Sequence, residues 1–215
     1  MEKQYEIVIA SHGESLKWLR HIPQKDDRKY KLTVSNSNGG IGVPTADQTV
    51  VIENAGREAG HYLKFIIDNY DNLLPVTVFL QADPWAHASC YSDSLLDILF
   101  GDPTFSHPMC YLGAEYSTQG CPIQRYTPLD FVLRLGWGNE QYPTGSQFSI
   151  GAQFYAKKET ILKRPVEHYK NIYAAAFDPN IPSLGHLLEG AWGNVLTLIL
   201  HSKTTNGLIA LHHLT

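Results

Sequence analysis

Cysteine is scarce in this chain of 215 residues: Cys90, Cys110 and Cys121 are the whole supply. An odd number with no Cys-x-x-Cys spacing argues against a disulfide framework and gives a structural zinc site little support. Charge is also modest, with 18% charged residues and a net charge of -4. That balance counts against a broad basic surface, so nucleic-acid binding would need a local patch. No apolar run reaches the roughly 18 residues a membrane span requires. There is no internal repeat and no long linker, and 17 Gly and 12 Pro are near average usage, which excludes collagen-like and low-complexity chains. Several catalytic signatures are missing too. Without Gly-x-Ser-x-Gly a serine hydrolase is weakened. The P-loop and the Gly-x-Gly-x-x-Gly fingerprint are absent, which weakens the standard nucleotide-binding readings. No His-x-Asp or His-Glu-x-x-His pattern supports a metal-dependent hydrolase, despite 10 His. The opening Met1-Glu2-Lys3-Gln4 runs straight into a strand-like segment. This predicts no signal peptide and, with so few cysteines, a cytoplasmic protein.

What is present suits one α/β domain over residues 1–215. Apolar residues make up 43% of the chain, enough to bury a sizeable core. Tyr5–Ala10, Tyr30–Ser35, Thr49–Ile52 and Pro75–Gln81 read as strands by their Ile, Val and aromatic content. Between the last two, Ala59, Tyr62, Leu63, Ile66, Ile67 and Tyr70 recur at helical spacing, with Asn54 as a candidate cap. Strand, helix, strand in this order predicts a mixed but mainly parallel sheet flanked by helices. A short helix is expected from Asp93 to Phe100. Residues 101–147 are rich in Gly, Pro and Tyr with weak periodicity. A strand is expected over Phe148–Ala156 and short helices over Glu159–Lys163 and Pro165–Tyr173. A last helix is expected over Leu184–Leu200, carrying Leu188, Ala191, Trp192, Val195 and Ile199 on one stripe.

In open α/β sheets ligands sit beyond the carboxyl ends of the strands. The four segments in those places are polar and rich in small residues: Ser11-His12-Gly13-Glu14, Asn36 to Gly40, Glu53 to Arg57, and Gln81 to Trp85. Loops are polar in any protein, but four such loops after four consecutive strands define a candidate site. Asp83 could hold a divalent metal on a diphosphate or meet a ribose hydroxyl, and His87 is close enough in sequence to share that role. Asp83 before Pro84 is equally a common turn. Gly56-Arg57 opens the best helix, where the N-terminus and a guanidinium both favour phosphate. Glu189, between Gly185-His186 and Gly190, lies off its apolar stripe and could take a proton from an attacking hydroxyl. Trp137, in Gly136-Trp137-Gly138, is either a sugar-stacking platform or a core anchor.

Two resemblances follow. Val8-Ile9-Ala10 with Glu14 and Trp18-Leu19, Glu53 to Ala59, Tyr62-Leu63, Ile66 to Leu73 and Thr77 to Gln81 resemble a family of uncharacterised bacterial and fungal proteins. Gly151 to Phe154, Arg164-Pro165, Tyr169, Leu188-Glu189 and Trp192 extend that likeness. The order of segments is also similar to glycosyltransferases of the GT-A fold. That likeness implies a GT-A-like domain with a nucleotide-binding half over 1–100 and an acceptor side over 101–215. It implies a nucleotide-sugar donor, a UDP-sugar first, held by Ser11, His12, Glu14, Asn36, Asn54, Gly56, Arg57, Gln81 and Asp83. It implies Mg²⁺ or Mn²⁺ at Asp83 and His87, and an acceptor hydroxyl near Trp85, Trp137, His186 and Trp192, with Glu189 as base. The acceptor would be a glycan, a small molecule or a hydroxymethylated DNA base. The chain departs from the fold's Asp-x-Asp motif, because Gln81 stands where the first acid would be. That departure keeps a second expectation open, a sugar- or nucleotide-binding module without turnover.

Overall fold

The computed structural model describes residues 2–39, 42–86, 92–113, 115–117, 147–149, 151–178 and 184–196. Its centre is a six-stranded sheet in the order β3-β2-β1-β4-β8-β5. β1 (Tyr5–Ser11), β2 (Tyr30–Asn36), β3 (Gln48–Val51) and β4 (Val76–Gln81) form its parallel part, with β1 between β2 and β4. The four strands expected side by side are therefore neighbours. β5 (Met109–Tyr111) and β8 (Phe154–Lys157) complete the sheet, β8 antiparallel to both β4 and β5. A separate antiparallel pair joins β6 (Glu115–Ser117) to β7 (Gln147–Ser149).

The central strands are buried on both faces, and their residues alternate between two cores. Val8, Ala10 and Phe79 face helix α1 (Arg57–Asn69), while Ile7, Ile9, Val78 and Leu80 face helix α2 (Ser92–Phe100). This is the period of two that a pleated strand imposes, with both faces covered as in parallel sheets. On α1, Tyr62, Leu63 and Ile66 are 0% exposed and pack toward the sheet, with Ile67 beside them. On the other face, the hydroxyls of Tyr5 and Tyr30 donate to the carbonyls of Ile98 and Leu99 at 2.6 and 3.1 Å. These bonds satisfy open carbonyls in the last turn of α2 and fasten it to the starts of β1 and β2.

Three local expectations are corrected. The strand expected over Phe148–Ala156 is two strands, β7 and β8, in different sheets. Gly151 and Ala152 both take positive φ, 86° and 49°, which turns the chain between them. The helix expected from Leu184 to Leu200 is broken at Gly190-Ala191 into α5 (Leu184–Glu189) and α6 (Trp192–Leu196). Asn54 does not cap α1. The residue there is Gly56, in the left-handed region at φ 69°, and no side chain caps the helix. Among the described residues the remaining α-helices are α3 (Lys158–Ile161) and α4 (Val166–Ala175), with Pro165 one residue ahead of the first turn of α4. Both α4 and α5 pack against α1, so the later part of the chain leans on the helix that opens at the candidate site.

Candidate functional site

The sheet has a switch point. From β1 the chain moves outward to β2 and β3, then returns to place β4 on the other side of β1. Loops leaving β1 and β4 must part there, which opens a crevice at their carboxyl ends. A cleft of about 390 Å³ lies at that position, lined by residues of the β1 end, the β4 end and the first turns of α1. Of the residues expected at the site, Ser11, His12, Glu14, Asn54, Arg57, Gln81 and Asp83 line it.

The β1 wall is held by its own hydrogen bonds. The Glu14 carboxylate accepts from the His12 N–H at 2.6 Å and from the Ser11 hydroxyl at 3.3 Å. Burial pushes its pKa up, but these donors outweigh burial and hold it below the ordinary carboxylate value. His12 Nδ1 lies 2.9 Å from the Ser37 hydroxyl, and Ser37 N–H donates to the Ser11 carbonyl at 3.0 Å. Gly13 has φ 99°, and a Cβ there would come within 2.5 Å of the Asn38 amide. Only glycine fits that turn.

On the β4 side, Gln81 is committed to other protein groups. Its amide donates to Glu58 Oε1 at 2.7 Å, and its backbone N–H donates to Gln153 at 3.3 Å. Asp83 is exposed on the cleft. The third wall is the start of α1. Arg57 takes φ 54°, an uncommon left-handed conformation for a residue with a side chain. Its guanidinium donates to His186 at 2.8 Å and lies 3.6 Å from Glu58. His186 in turn stands 3.7 Å from Glu189, whose other oxygen accepts from the Gly151 N–H. Glu189 thus adjoins the cleft through His186 and Arg57 and is not among the lining residues. The close approach of α5 depends on Gly185, where a Cβ would meet the Gly56 carbonyl at 2.8 Å and the Arg57 Cβ at 2.9 Å.

Other expected residues fall elsewhere. Trp192 is not an acceptor surface. It is 0% exposed, 5.0 Å from the Phe154 ring and 5.8 Å from Tyr62, so it anchors the core. Asn36 is buried and accepts from the Asn38 N–H at 2.9 Å, which makes it a turn residue below the cleft. Gly56 serves as the turn into α1. Trp85 packs edge-on against Trp18 at 4.9 Å, beside the lining residue Ala86. Trp137 and His87 lie outside the described residues. Two polar lining residues are not among those expected from the sequence, Glu58 and His61. Both sit on the first turns of α1, and the spacing Arg57-Glu58-x-x-His61 puts them on the turn facing the strand ends. His61 is only 3% exposed, and its Nδ1 lies 2.8 Å from the Ser35 hydroxyl. Burial lowers its pKa to about 4, so it is neutral at ordinary pH.

The lining therefore offers three carboxylates (Glu14, Glu58, Asp83), one guanidinium and two imidazoles. Carboxylates accept from hydroxyls, and a guanidinium suits phosphate or carboxylate. Among the described residues no group of three or more His, Cys, Asp or Glu is placed to hold a metal ion. No described helix is long and apolar enough to cross a membrane.

Residues 7–98 match the family described as protein of unknown function (DUF3431). The match covers less than half of the chain but includes most of β1, all of β2 to β4, α1 and every lining residue of the cleft. No curated protein and no solved structure matches the chain.

Proposed function

We propose that this chain transfers a sugar from a nucleotide-sugar donor to an acceptor hydroxyl, by a single inverting displacement. The observation that carries the reading is the cleft at the switch point of the parallel strands, where Arg57 and three carboxylates converge. A nucleotide sugar presents both kinds of partner those groups favour: phosphates for Arg57 and hydroxyls for Glu14, Glu58 and Asp83. In the displacement, the acceptor oxygen bonds to the anomeric carbon as the bond from that carbon to the diphosphate oxygen breaks. The nucleoside diphosphate leaves with the electron pair, and Arg57 steadies its charge. Glu189, which adjoins the cleft through His186, takes the acceptor proton.

Mg²⁺ or Mn²⁺ fits the described donor set poorly. Asp83 stands alone at the end of β4, because Gln81 carries no charge and its amide is bound to Glu58. No step is therefore routed through a metal, and Arg57 is given the charge on the leaving group. The same departure at Gln81 favours the second reading, a module that binds a nucleotide or sugar without turnover.

One experiment separates the readings. Thermal unfolding is followed with UDP-, GDP-, TDP- and CMP-sugars, with and without Mn²⁺, and each stabilising donor is then assayed for release of its nucleoside diphosphate. Stabilisation with release supports transfer, and stabilisation without release in the presence of an acceptor panel supports the binding module. A chain that no nucleotide sugar stabilises would sink both.

A further inference from the structure

The interior of the cleft holds a group that the transfer chemistry does not use. His61 lines the cleft from the second turn of α1 and is almost wholly buried. One ring nitrogen, Nδ1, is 2.8 Å from the Ser35 hydroxyl on β2, which fixes the orientation of the ring. The other, Nε2, has no hydrogen-bond partner among the described residues. It is not one of the sealed, unpartnered polar atoms of the interior, so it stays accessible to solvent and to a ligand. Here the open side is the cleft.

The neighbourhood also fixes what the ring can carry. Glu14 and His12 act on it from the β1 loop, with opposite effects on its charge, and burial outweighs both. The ring is therefore a neutral imidazole, with one nitrogen donating and the other accepting. A neutral imidazole in a buried corner gains little from a phosphate, which prefers full cations. It suits an uncharged group that can both give and take a hydrogen bond. The charged lining group that acts on the ring is the Glu14 carboxylate, which repels a phosphate, and the guanidinium of Arg57 is not among the groups that act on it.

We infer that His61 is a specificity-determining residue whose Nε2 pairs with an uncharged hydroxyl or amide-type edge of the ligand, selecting for the nucleoside or sugar portion over the phosphates. The inference rests on the nucleotide-sugar reading and deepens it. The Ser35 hydroxyl is a positioning group, since it sets the ring without meeting the ligand.

The test compares three probes on the intact chain by calorimetry: the stabilising nucleotide sugar, its nucleoside diphosphate, and inorganic diphosphate. His61→Phe keeps a ring of similar size and removes both nitrogens. It should weaken the nucleotide sugar or the nucleoside diphosphate by about 10-fold or more, the scale of a lost hydrogen bond, and leave inorganic diphosphate unchanged. Ser35→Ala should show a smaller loss with the same selectivity. A measurement without substitution stands beside these: nitrogen NMR of the wild-type histidines should show the His61 Nε2 resonance move when the organic ligand binds, and not with inorganic diphosphate. If His61→Phe weakens all three probes equally, or none, and the Nε2 resonance stays still, the inference is overturned while the donor reading stands. If the wild-type chain binds no nucleotide probe, the donor reading falls first and takes the inference with it.

Discussion

The two sides of the cleft are built differently. The β1 wall is tied largely to itself: Ser11, His12, Glu14 and Ser37 bond to one another, and His12 Nε2 reaches Asn54 at 3.5 Å. The α1 wall faces outward to a different part of the chain, and its Arg57 and Glu58 reach His186 and Gln81 through groups 23 to 129 residues away in sequence. Glu14 is held by Ser11 and His12 within three residues of it and Ser37 joins from just beyond β2, whereas Arg57 is held by a side chain 129 residues on. A change on the β1 wall should act locally. A change beneath α1 should disturb the whole arrangement, because α1 is the element on which α4 and α5 rest.

The sharpest way to break that contrast is to unseat α1. Ile66 is 0% exposed in the core under the helix, and Ile66→Asp would place a charge there at a cost of several kcal/mol. Circular dichroism should show an unfolded chain at temperatures where the wild type is folded. A cooperative transition close to the wild-type midpoint would mean that α1 is not the support described above.

Acid should separate the walls next. His61 is neutral when folded, with a pKa near 4, against about 6.5 for a free imidazole. Between these values the unfolded chain binds a proton that the folded chain refuses. The contribution of His61 is thus complete above about pH 6.5 and is lost as pH falls toward 4, by roughly 3 kcal/mol in all. Glu14, held low, adds stability that disappears only at still lower pH, below the ordinary carboxylate range. Denaturant titrations across this range should show the steeper early loss in the wild type and a flatter one in His61→Asn. Equal slopes would contradict the buried neutral ring.

Chemistry gives a smaller effect and a cleaner one. Glu189→Gln keeps the shape and can still accept from Gly151, but it removes the base. Turnover should fall by about 10²-fold with donor affinity nearly unchanged. Near-normal turnover would assign the proton to another group, or to none. The smallest effect is expected at the β4 end. Asp83→Asn should weaken nucleotide-sugar binding by about 1 kcal/mol, the low end for a charge-assisted bond. No change in a binding titration would remove Asp83 from the donor site.

Much of this layout was readable from residue order. Val8, Ile9, Val78 and Leu80 sit in runs that suit strands covered on both sides, and the stripe from Tyr62 to Ile66 suits one helix face. Those runs put the four loops at one edge of the sheet, and the cleft followed. Residues whose partners lie far away in sequence were harder to place. Trp192 is expected beside the acceptor, yet Tyr62 and Phe154 pack against it from two other elements. Glu58 and His61 read as the polar side of an amphipathic helix, because nothing local shows that Gln81 and Ser35 meet them. The break between β7 and β8 was hidden for another reason. It lies in the backbone torsions of Gly151 and Ala152, and the apolar pattern runs through it without interruption.

Gly185 has a consequence for how the two ends of the chain are registered. Helix α5 touches the Gly56 carbonyl and the Arg57 side chain only because a hydrogen atom stands where every other residue carries carbon. The gap between Arg57 and Glu189 is in this sense gauged by a missing methyl group. Adding that group as Gly185→Ala would leave every charged residue of the site in the sequence and still push the acid and the guanidinium apart, as a shim widens a joint.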